Sequence, residues 1–512
     1  MSPVPSEQKG QGSAGVSPLA WIPAGVLAVG AVLCFHAAFR EPRVAWLVVG
    51  YLACLIELRR LPTPRAAFYA GLGVGLGIYV PPMAFLGSVF GAAALVLWTI
   101  LAAFHAGFVL LLHRIERIGG SLWALGLAPV VWCGLEYFRS EVWWLRFSWL
   151  SVGSIFIEGP QPWLRFLGVY GLGFVAASFA ATGLMLFQPR LRRWGAVAGA
   201  GCLLVAVGVL MAGSSRSTVL KEDPQGVRMA GIQLEAPGVP EVLVALDALV
   251  QTDPEVELVQ LSEYTFDGDI PSAVRSWCHR HRKWLLAGGR ETLPDSGTAS
   301  APRWPALGLR TSGDSDRFFN TAFVVDPKGE VCFRQAKSRP IQFFRDGEPA
   351  PDQQLWVSPW GPLGVAICYD ASYRRVMDVL VRKGAEGLLV PTMDLETWGR
   401  TEHELNARMA RIRALEYGLP VFRVASSGIS LVLDRDGTTL ASAPFPGPGA
   451  TLSASFPLRA GGGSVPWDAL VAPACVGITG FLTLGLLIQS VALGRRPSRE
   501  APVANSLIPT SP

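Results

Sequence analysis

From residue 18 to residue 213 the chain is almost continuously apolar, broken only by short gaps that carry arginines. A helix needs roughly 20 mostly apolar residues to cross the hydrocarbon of a bilayer. By that measure the runs at 18–39, 44–58, 66–88, 90–112, 121–138, 162–187, 195–213 and 467–493 are candidate spans, the second and fifth being short. The pattern predicts a helical membrane domain of about seven spans over 18–213 and one further span at 467–493.

Residues 216–465 follow another rhythm. Runs of strand period, MAGIQLE (229–235), VELVQLSEY (256–264), RKWLLAGGRE (282–291), GPLGVAICYD (361–370) and EGLLVPTMD (386–394), alternate with helical stretches such as ELNARMARIRALEYG (404–418), read as amphipathic and stopped by Gly418. NTAFVVDPKGEVCFRQAK (320–337) and LPVFRVASSGISLVLDRDG (419–437) read as hairpins. Strands alternating with helices predict a layered α/β domain.

Charge adds an orientation. Arg59, Arg60 and Arg65 follow the second run, Arg114 and Arg117 the fourth, Arg190, Arg192 and Arg193 the sixth, and Arg495, Arg496 and Arg499 the last. Basic gaps face the cytoplasm, which places the layered domain outside it; Arg40 and Arg43 are the exception. A net charge of +5 over 512 residues, with 50% hydrophobic residues, is largely this orienting set, so no nucleic-acid partner is expected. Segment 1–17 is polar and shows no cleavable signal pattern, and 494–512 reads as a cytoplasmic tail. Of eight cysteines, Cys34, Cys54, Cys133, Cys202 and Cys475 sit in apolar runs, which argues against a disulfide framework. No CxxC or His/Cys spacing indicates a metal site, and no cofactor is expected.

Three chemically capable residues end strand-like runs: Glu263, Lys337 and Cys368. A thiol is a weak nucleophile until a base takes its proton. A carboxylate is such a base, and an ammonium holds charge developing on a carbonyl oxygen. Together they suit acyl transfer through a thioester; separately, each is commonly an ordinary buried thiol or solvated charge.

The ordered motifs LSEYTF, FRQAKSRP, GVAICYDASY and ARMARIRALEYGLPVFRVASSGIS resemble the nitrilase superfamily, whose site is Glu-Lys-Cys in that order. With a membrane domain in front, one span behind, and WCGLEYFRSEVWWLRFSWLSVG (132–153) before LGVYGLGF, the chain is similar to its membrane-embedded branch, the apolipoprotein N-acyltransferases. The resemblance implies a multi-pass α-helical membrane domain plus an α/β nitrilase-like domain built as a four-layer αββα sandwich. It implies Glu263 as base, Cys368 as nucleophile, Lys337 and the backbone N–H of Tyr369 for the oxyanion, and Glu348 or Asp346 as a supporting acid. It further implies a phospholipid acyl donor, a diacylglyceryl lipoprotein acceptor, a monomer, and residence in the bacterial cytoplasmic (inner) membrane with catalysis on the periplasmic side. Departures are Ser262 in place of Pro before the base and SRPIQFFRDGEPAP after the lysine. A membrane-tethered amidase and a catalytically silent lipid-binding paralogue therefore stand as alternatives.

Other residues admit two readings. Glu136, Arg139 and Trp149 belong to a membrane-interface belt or to a substrate site. Phe343 and Phe344 belong to a lipid-gating arm or fill core. Asp370 reads as structural, His403 and Glu404 as the capped, solvated start of a helix, His279 and His281 as basic surface, and Arg423 as half of an internal ion pair.

Overall fold

The computed structural model describes residues 24–158, 162–216, 226–293, 317–447 and 449–494. The polar segment 1–17 and all but the first residue of the tail 494–512 lie outside them.

Each apolar run folds as helix: α1 Ala24–Arg40, α2 Leu47–Glu57, α3 Pro64–Tyr79, α4 Phe85–Phe90, α5 Ala93–Gly119, α6 Ser121–Tyr137, α7 Pro162–Leu186 and α8 Arg192–Arg216. Of the described helices, α5, α6 extended by a π-turn to Val142, α7, α8, and α13 at the chain's other end (Asp468–Gly494) are long and apolar enough to cross a membrane. The short fifth run thus makes a full-length helix, whereas the second makes only the 11 residues of α2, about 17 Å at 1.5 Å per residue. The run at 66–88 divides into α3 and α4 around Pro81 and Pro82, which cannot donate the N–H that a continuing helix needs. Helices α3 and α5 pack closely because small residues meet: a Cβ on Gly75 would stand 2.6 Å from the Ala102 Cα. Arg59, counted among the orienting charges, is buried between Glu57 and Glu116.

The α/β domain holds two six-stranded sheets. One has the order β12-β1-β2-β3-β4-β5, built from β1 Val227–Ile232, β2 Leu258–Gln260, β3 Trp284–Thr292, β4 Phe318–Val325, β5 Val331–Ala336 and β12 Thr451–Phe456. The other runs β11-β10-β9-β8-β7-β6, from β6 Leu355–Ser358, β7 Gly361–Val365, β8 Gly387–Thr392, β9 Val421–Ala425, β10 Ser430–Leu433 and β11 Thr439–Ala443. Strand period places the layers. Met229, Leu258 and Leu286 face Leu363, Leu389 and Phe422 across the sheet–sheet interface. Their neighbours Ala230, Val259 and Leu285 pack beneath α9 Val239–Thr252 and α10 Ser272–His281. On the far side Leu388 and Val390 pack with α11 Arg374–Arg382 and α12 Arg400–Tyr417. The result is the expected αββα sandwich.

Helix α12 is not amphipathic: 13 of its 18 residues are buried, because α7 covers the face turned away from the sheets. Its charges are paired there, Arg413 with Glu416. The two domains join by exchanging helix caps. Gly168, at φ 72°, breaks α7, and the N–H groups so freed, of Val169 and Tyr170, donate to Glu416 Oε1 and Asp468 Oδ2, both at 3.0 Å. In return Glu141, just after α6, accepts the N–H of Arg374 at 2.9 Å at the start of α11. A carboxylate at a helix N-terminus meets unpaired donors and the positive end of the dipole.

Candidate active site

Strand β7 delivers the thiol. Past Val365 the chain enters a 3₁₀ turn, Cys368–Ser372, with Cys368 at φ 47°, a conformation that a non-glycine residue holds only when its surroundings enforce it. Asp370 enforces it from the catalytic domain. Its carboxylate accepts the N–H of Arg339 at 2.7 Å, of Ser338 at 3.1 Å and of Ile367 at 3.3 Å, tying the turn to the segment after Lys337. The helical domain enforces it from the other side. Tyr369 and Tyr373 hydroxyls donate to the Arg146 carbonyl, Ser148 Oγ donates to the Ser372 carbonyl, and Trp149 Nε1 donates to Ser372 Oγ at 3.0 Å.

Glu263 and Lys337 arrive from the ends of β2 and β5. Lys337 Nζ donates to Glu263 Oε1 at 2.8 Å and to Asp346 Oδ2 at 2.7 Å, and its side chain is fully buried. Asn320 Nδ2 bridges the two acids, at 2.6 Å from Glu263 and 2.8 Å from Asp346. The other Glu263 oxygen accepts the Met393 N–H at 2.8 Å, and Cys368 Sγ lies 3.8 Å from the Met393 carbonyl. The geometry thus brings Glu263, Lys337 and Cys368 into one buried group.

Glu348 stands outside that group. It pairs with Arg317 at 3.2 Å on the surface, and Asp346 takes the supporting position. Gly347, at φ 82°, turns the chain between the two acids, and a Cβ there would meet the Asn320 nitrogen. Asn320 and Asp346 are the members that the motifs underrated. Asp346 was open to reading beside Glu348, and Asn320, in mid-strand, carried no signal.

Electrostatics follow burial. Removal from water pushes the Cys368 thiol well up, and the Glu263 carboxylate adds to that push. Burial and the Asp346 charge likewise raise Glu263, against the pull of Lys337. Burial pulls Lys337 down, but Asp346 and Glu263 outweigh it and hold the ammonium firmly protonated. The resting pocket therefore contains a neutral thiol beside a carboxyl group bonded to an ammonium.

Cys368 opens into a cavity of about 140 Å³. Its wall is mostly apolar, with Phe90, Leu97 and Leu101 from the helical domain facing Tyr369, Phe343 and Phe344. Trp149 also lines it. Glu136 and Arg139 do not: they are buried within the helical bundle, Glu136 accepting the Val152 N–H at 2.8 Å and Arg139 stacking over Tyr79. A second cavity, of about 370 Å³, lies on the Glu263 side among Glu235, Asp267, Arg290 and Arg345, with Ile341 and Phe344 in the wall shared by both. Arg423 forms its internal ion pair with Asp394 at 2.5 Å. His403 is buried, not solvated, whereas Glu404 is exposed. His281 stacks on Trp277.

Comparison with known proteins divides the chain along the same line. Residues 16–182 match the apolipoprotein N-acyltransferase N-terminal domain, and residues 257–458 match the carbon-nitrogen hydrolases. The apolipoprotein N-acyltransferase of Ralstonia nicotianae is 26% identical over 80% of this chain and 83% of its own. That of Geobacter metallireducens is 25% identical over 83% of this chain and 82% of its own. Among solved structures, Nit3 of Saccharomyces cerevisiae, a nitrilase-superfamily member, aligns over 46% of this chain and 90% of its own at 19% identity, with a TM-score of 0.37. An N-terminal region that matches one model, a domain that matches the other, and relatives that span both make this chain similar, along most of its length, to the apolipoprotein N-acyltransferases.

Proposed function

We propose that the protein transfers a fatty acyl chain from a phospholipid, through a thioester on Cys368, to the N-terminal amine of a diacylglyceryl-cysteine lipoprotein. The observation that carries this reading is the setting of the triad. The Glu263–Lys337 pair lies behind a thiol that faces an apolar cavity, and about half of that cavity's wall comes from the helices and the 145–149 loop of the bilayer domain.

In the first half-reaction Glu263 takes the Cys368 proton as sulfur attacks the ester carbonyl. The oxyanion forms near Lys337 Nζ and the Tyr369 N–H, and the lysophospholipid leaves with the proton that Glu263 returns. In the second, the acceptor amine attacks the thioester, an amide bond forms, the C–S bond breaks, and Glu263 passes the amine proton to the departing sulfur. Fatty acyl tails fit the apolar cavity. Arginines flanking alternate apolar runs support a cytoplasmic-membrane protein with its catalytic domain outside the cytoplasm.

The test is chemical. Purified protein incubated with acyl-labelled phospholipid and quenched in acid should carry hydroxylamine-sensitive label, and Cys368→Ala should carry none. Adding a diacylglyceryl-cysteine peptide should move the label onto its amine. Release as free fatty acid in the presence of that peptide would mark a hydrolase and overturn the assignment.

A further inference from the structure

Beside the catalytic group, outside the machinery just described, lies a second buried cluster. Asp394 follows β8, and Glu402 and His403 lie in the first turn of α12. Asp394 and His403 are fully buried and Glu402 is 4% exposed. Neither ring nitrogen of His403 has a hydrogen-bond partner among the described residues, nor has Glu402 Oε2. Buried polar atoms are ordinarily satisfied, so His403 Nδ1 and Glu402 Oε2, two orphans that face each other, need a common partner.

The geometry names its kind. His403 Nδ1 stands 3.3 Å from Glu402 Oε2 and 3.6 Å from Asp394 Oδ2, and one donor atom from each of the three residues lies within 4.8 Å of the others. Nitrogen and oxygen ligands bind zinc at about 2.0–2.1 Å, so tetrahedral neighbours stand about 3.3–3.4 Å apart. The side chains are held in place. The His403 ring stacks on Phe445 with centroids 4.0 Å apart. Asp394 is fixed by Asn406 Nδ2 at 2.7 Å and by Arg423 Nη2 at 2.5 Å, the kind of outer support that orients metal ligands. Charge points the same way: the Arg423 guanidinium pairs with Asp394 alone, so with both carboxylates ionised one buried negative charge is left for a cation to offset. Glu402 and Asn406 also line the cavity that opens on Cys368, which leaves a side for a further ligand.

We infer that Asp394, Glu402 and His403 form a binding site for a divalent transition-metal ion of zinc type, which pins the segment from Met393 to the start of α12. That segment matters because the Met393 backbone meets both Glu263 and Cys368. The spacing Asp-x7-Glu-His matches none of the short ligand motifs that identify zinc from sequence. The site stands independently of the acyl-transfer reading.

The test uses the full-length protein in detergent, in a Cys368→Ser background that removes the nearby thiol. After chelation and dialysis, titration with zinc against a competing chelator should give one equivalent bound. His403→Gln and Glu402→Gln should each weaken binding at least about 100-fold, more than loss of an outer-shell partner costs. Cobalt should bind at the same stoichiometry, without the near-ultraviolet band of thiolate coordination. Zinc should raise the unfolding temperature of the parent and not of His403→Gln, while the two unfold alike in chelator. Unchanged affinity in both variants, or a parent that zinc does not stabilise, overturns the site and shows instead an acid proton shared among these side chains.

Discussion

Asp346 is the most exposing position at which to test the electrostatic account of this site. Its carboxylate accepts four hydrogen bonds: Lys337 Nζ and the Ile341 N–H on one oxygen, both at 2.7 Å, and Asn320 Nδ2 at 2.8 Å and Tyr264 OH at 2.9 Å on the other. Asp346→Asn preserves shape, removes the charge and replaces one accepting oxygen with a donor. Turned one way, the amide NH₂ faces the Lys337 ammonium; turned the other, it faces the Asn320 NH₂. Asn320 cannot rotate to relieve this without abandoning Glu263, to which it donates at 2.6 Å. Breaking a buried pair costs about 3–5 kcal/mol, and Lys337 keeps Glu263, so the lower end, about 3 kcal/mol, is expected. Chemistry suffers as well. Asp346 is one of the charges that raise Glu263, so its loss leaves Glu263 more tightly paired with Lys337 and a weaker base. Thioester formation should fall roughly 10–100-fold, part of the 10²–10⁴ that a positioned base contributes. Glu348→Gln, on the exposed Arg317 pair, should change stability by under about 0.5 kcal/mol and leave the rate unchanged. The assays are denaturant unfolding in detergent and the rate of acyl labelling at Cys368. If Asp346→Asn unfolds and labels like the parent, or Glu348→Gln loses as much, the assignment of the supporting acid is wrong.

Two other perturbations probe the turn and the cavity. Burial pushes the Asp370 carboxyl up to about 7 from its ordinary 3.8. Because the folded value is the raised one, its contribution is complete below pH 3.8 and disappears as pH rises through about 7, on the order of 4 kcal/mol in all. The pH profile of unfolding for Asp370→Asn, measured against the parent, should lack that decline; superimposable profiles refute the burial argument. Leu101→Trp fills the apolar cavity from the helical side, so labelling from long-chain phospholipids should drop relative to short-chain ones, and an unchanged ratio places the acyl chain elsewhere.

How much of this was legible depends on what each residue's position was set by. Glu263, Lys337 and Cys368 end apolar runs of strand period, and a strand end is fixed locally, so a reader of sequence finds them. Asp346 sits in a loop whose side alternation is reset by the positive φ of Gly347 and by pairing of the Glu348 N–H with the Phe318 carbonyl. Both are tertiary facts, so the count after Lys337 left Glu348 and Asp346 undivided. Strands β6, β11 and β12 went unread because their partners, not their short sequences, hold them straight. The charged face of α12 misled for a related reason. Charges normally mark a solvated face, but here Glu416 is used to cap α7 and Arg413 to bind the carbonyls of Ala371 and Ser372. His403 was misread with them, since nothing in its neighbours along the chain signals that Phe445 covers it.

That use of α12 bears on what the helical domain is for. Membrane anchoring requires only apolar length, which α5 or α13 alone supplies. Yet loop 145–149 makes four hydrogen bonds to residues 369–373, directly after Cys368, and Glu141 caps the helix that follows. Cys368 holds a left-handed backbone that costs on the order of 1–3 kcal/mol, and Asp370 restrains only one flank of it. The other flank is held by the bilayer domain together with Arg413, which binds the Ala371 and Ser372 carbonyls. Severing the domains would therefore leave Tyr369, Ser372 and Tyr373 without those partners and let the turn relax, taking the sulfur away from Glu263. The domain whose helices wall the apolar cavity is also part of the scaffold that keeps the thiol in place, so the shape of the cavity and the geometry of the thiol are properties of one joint.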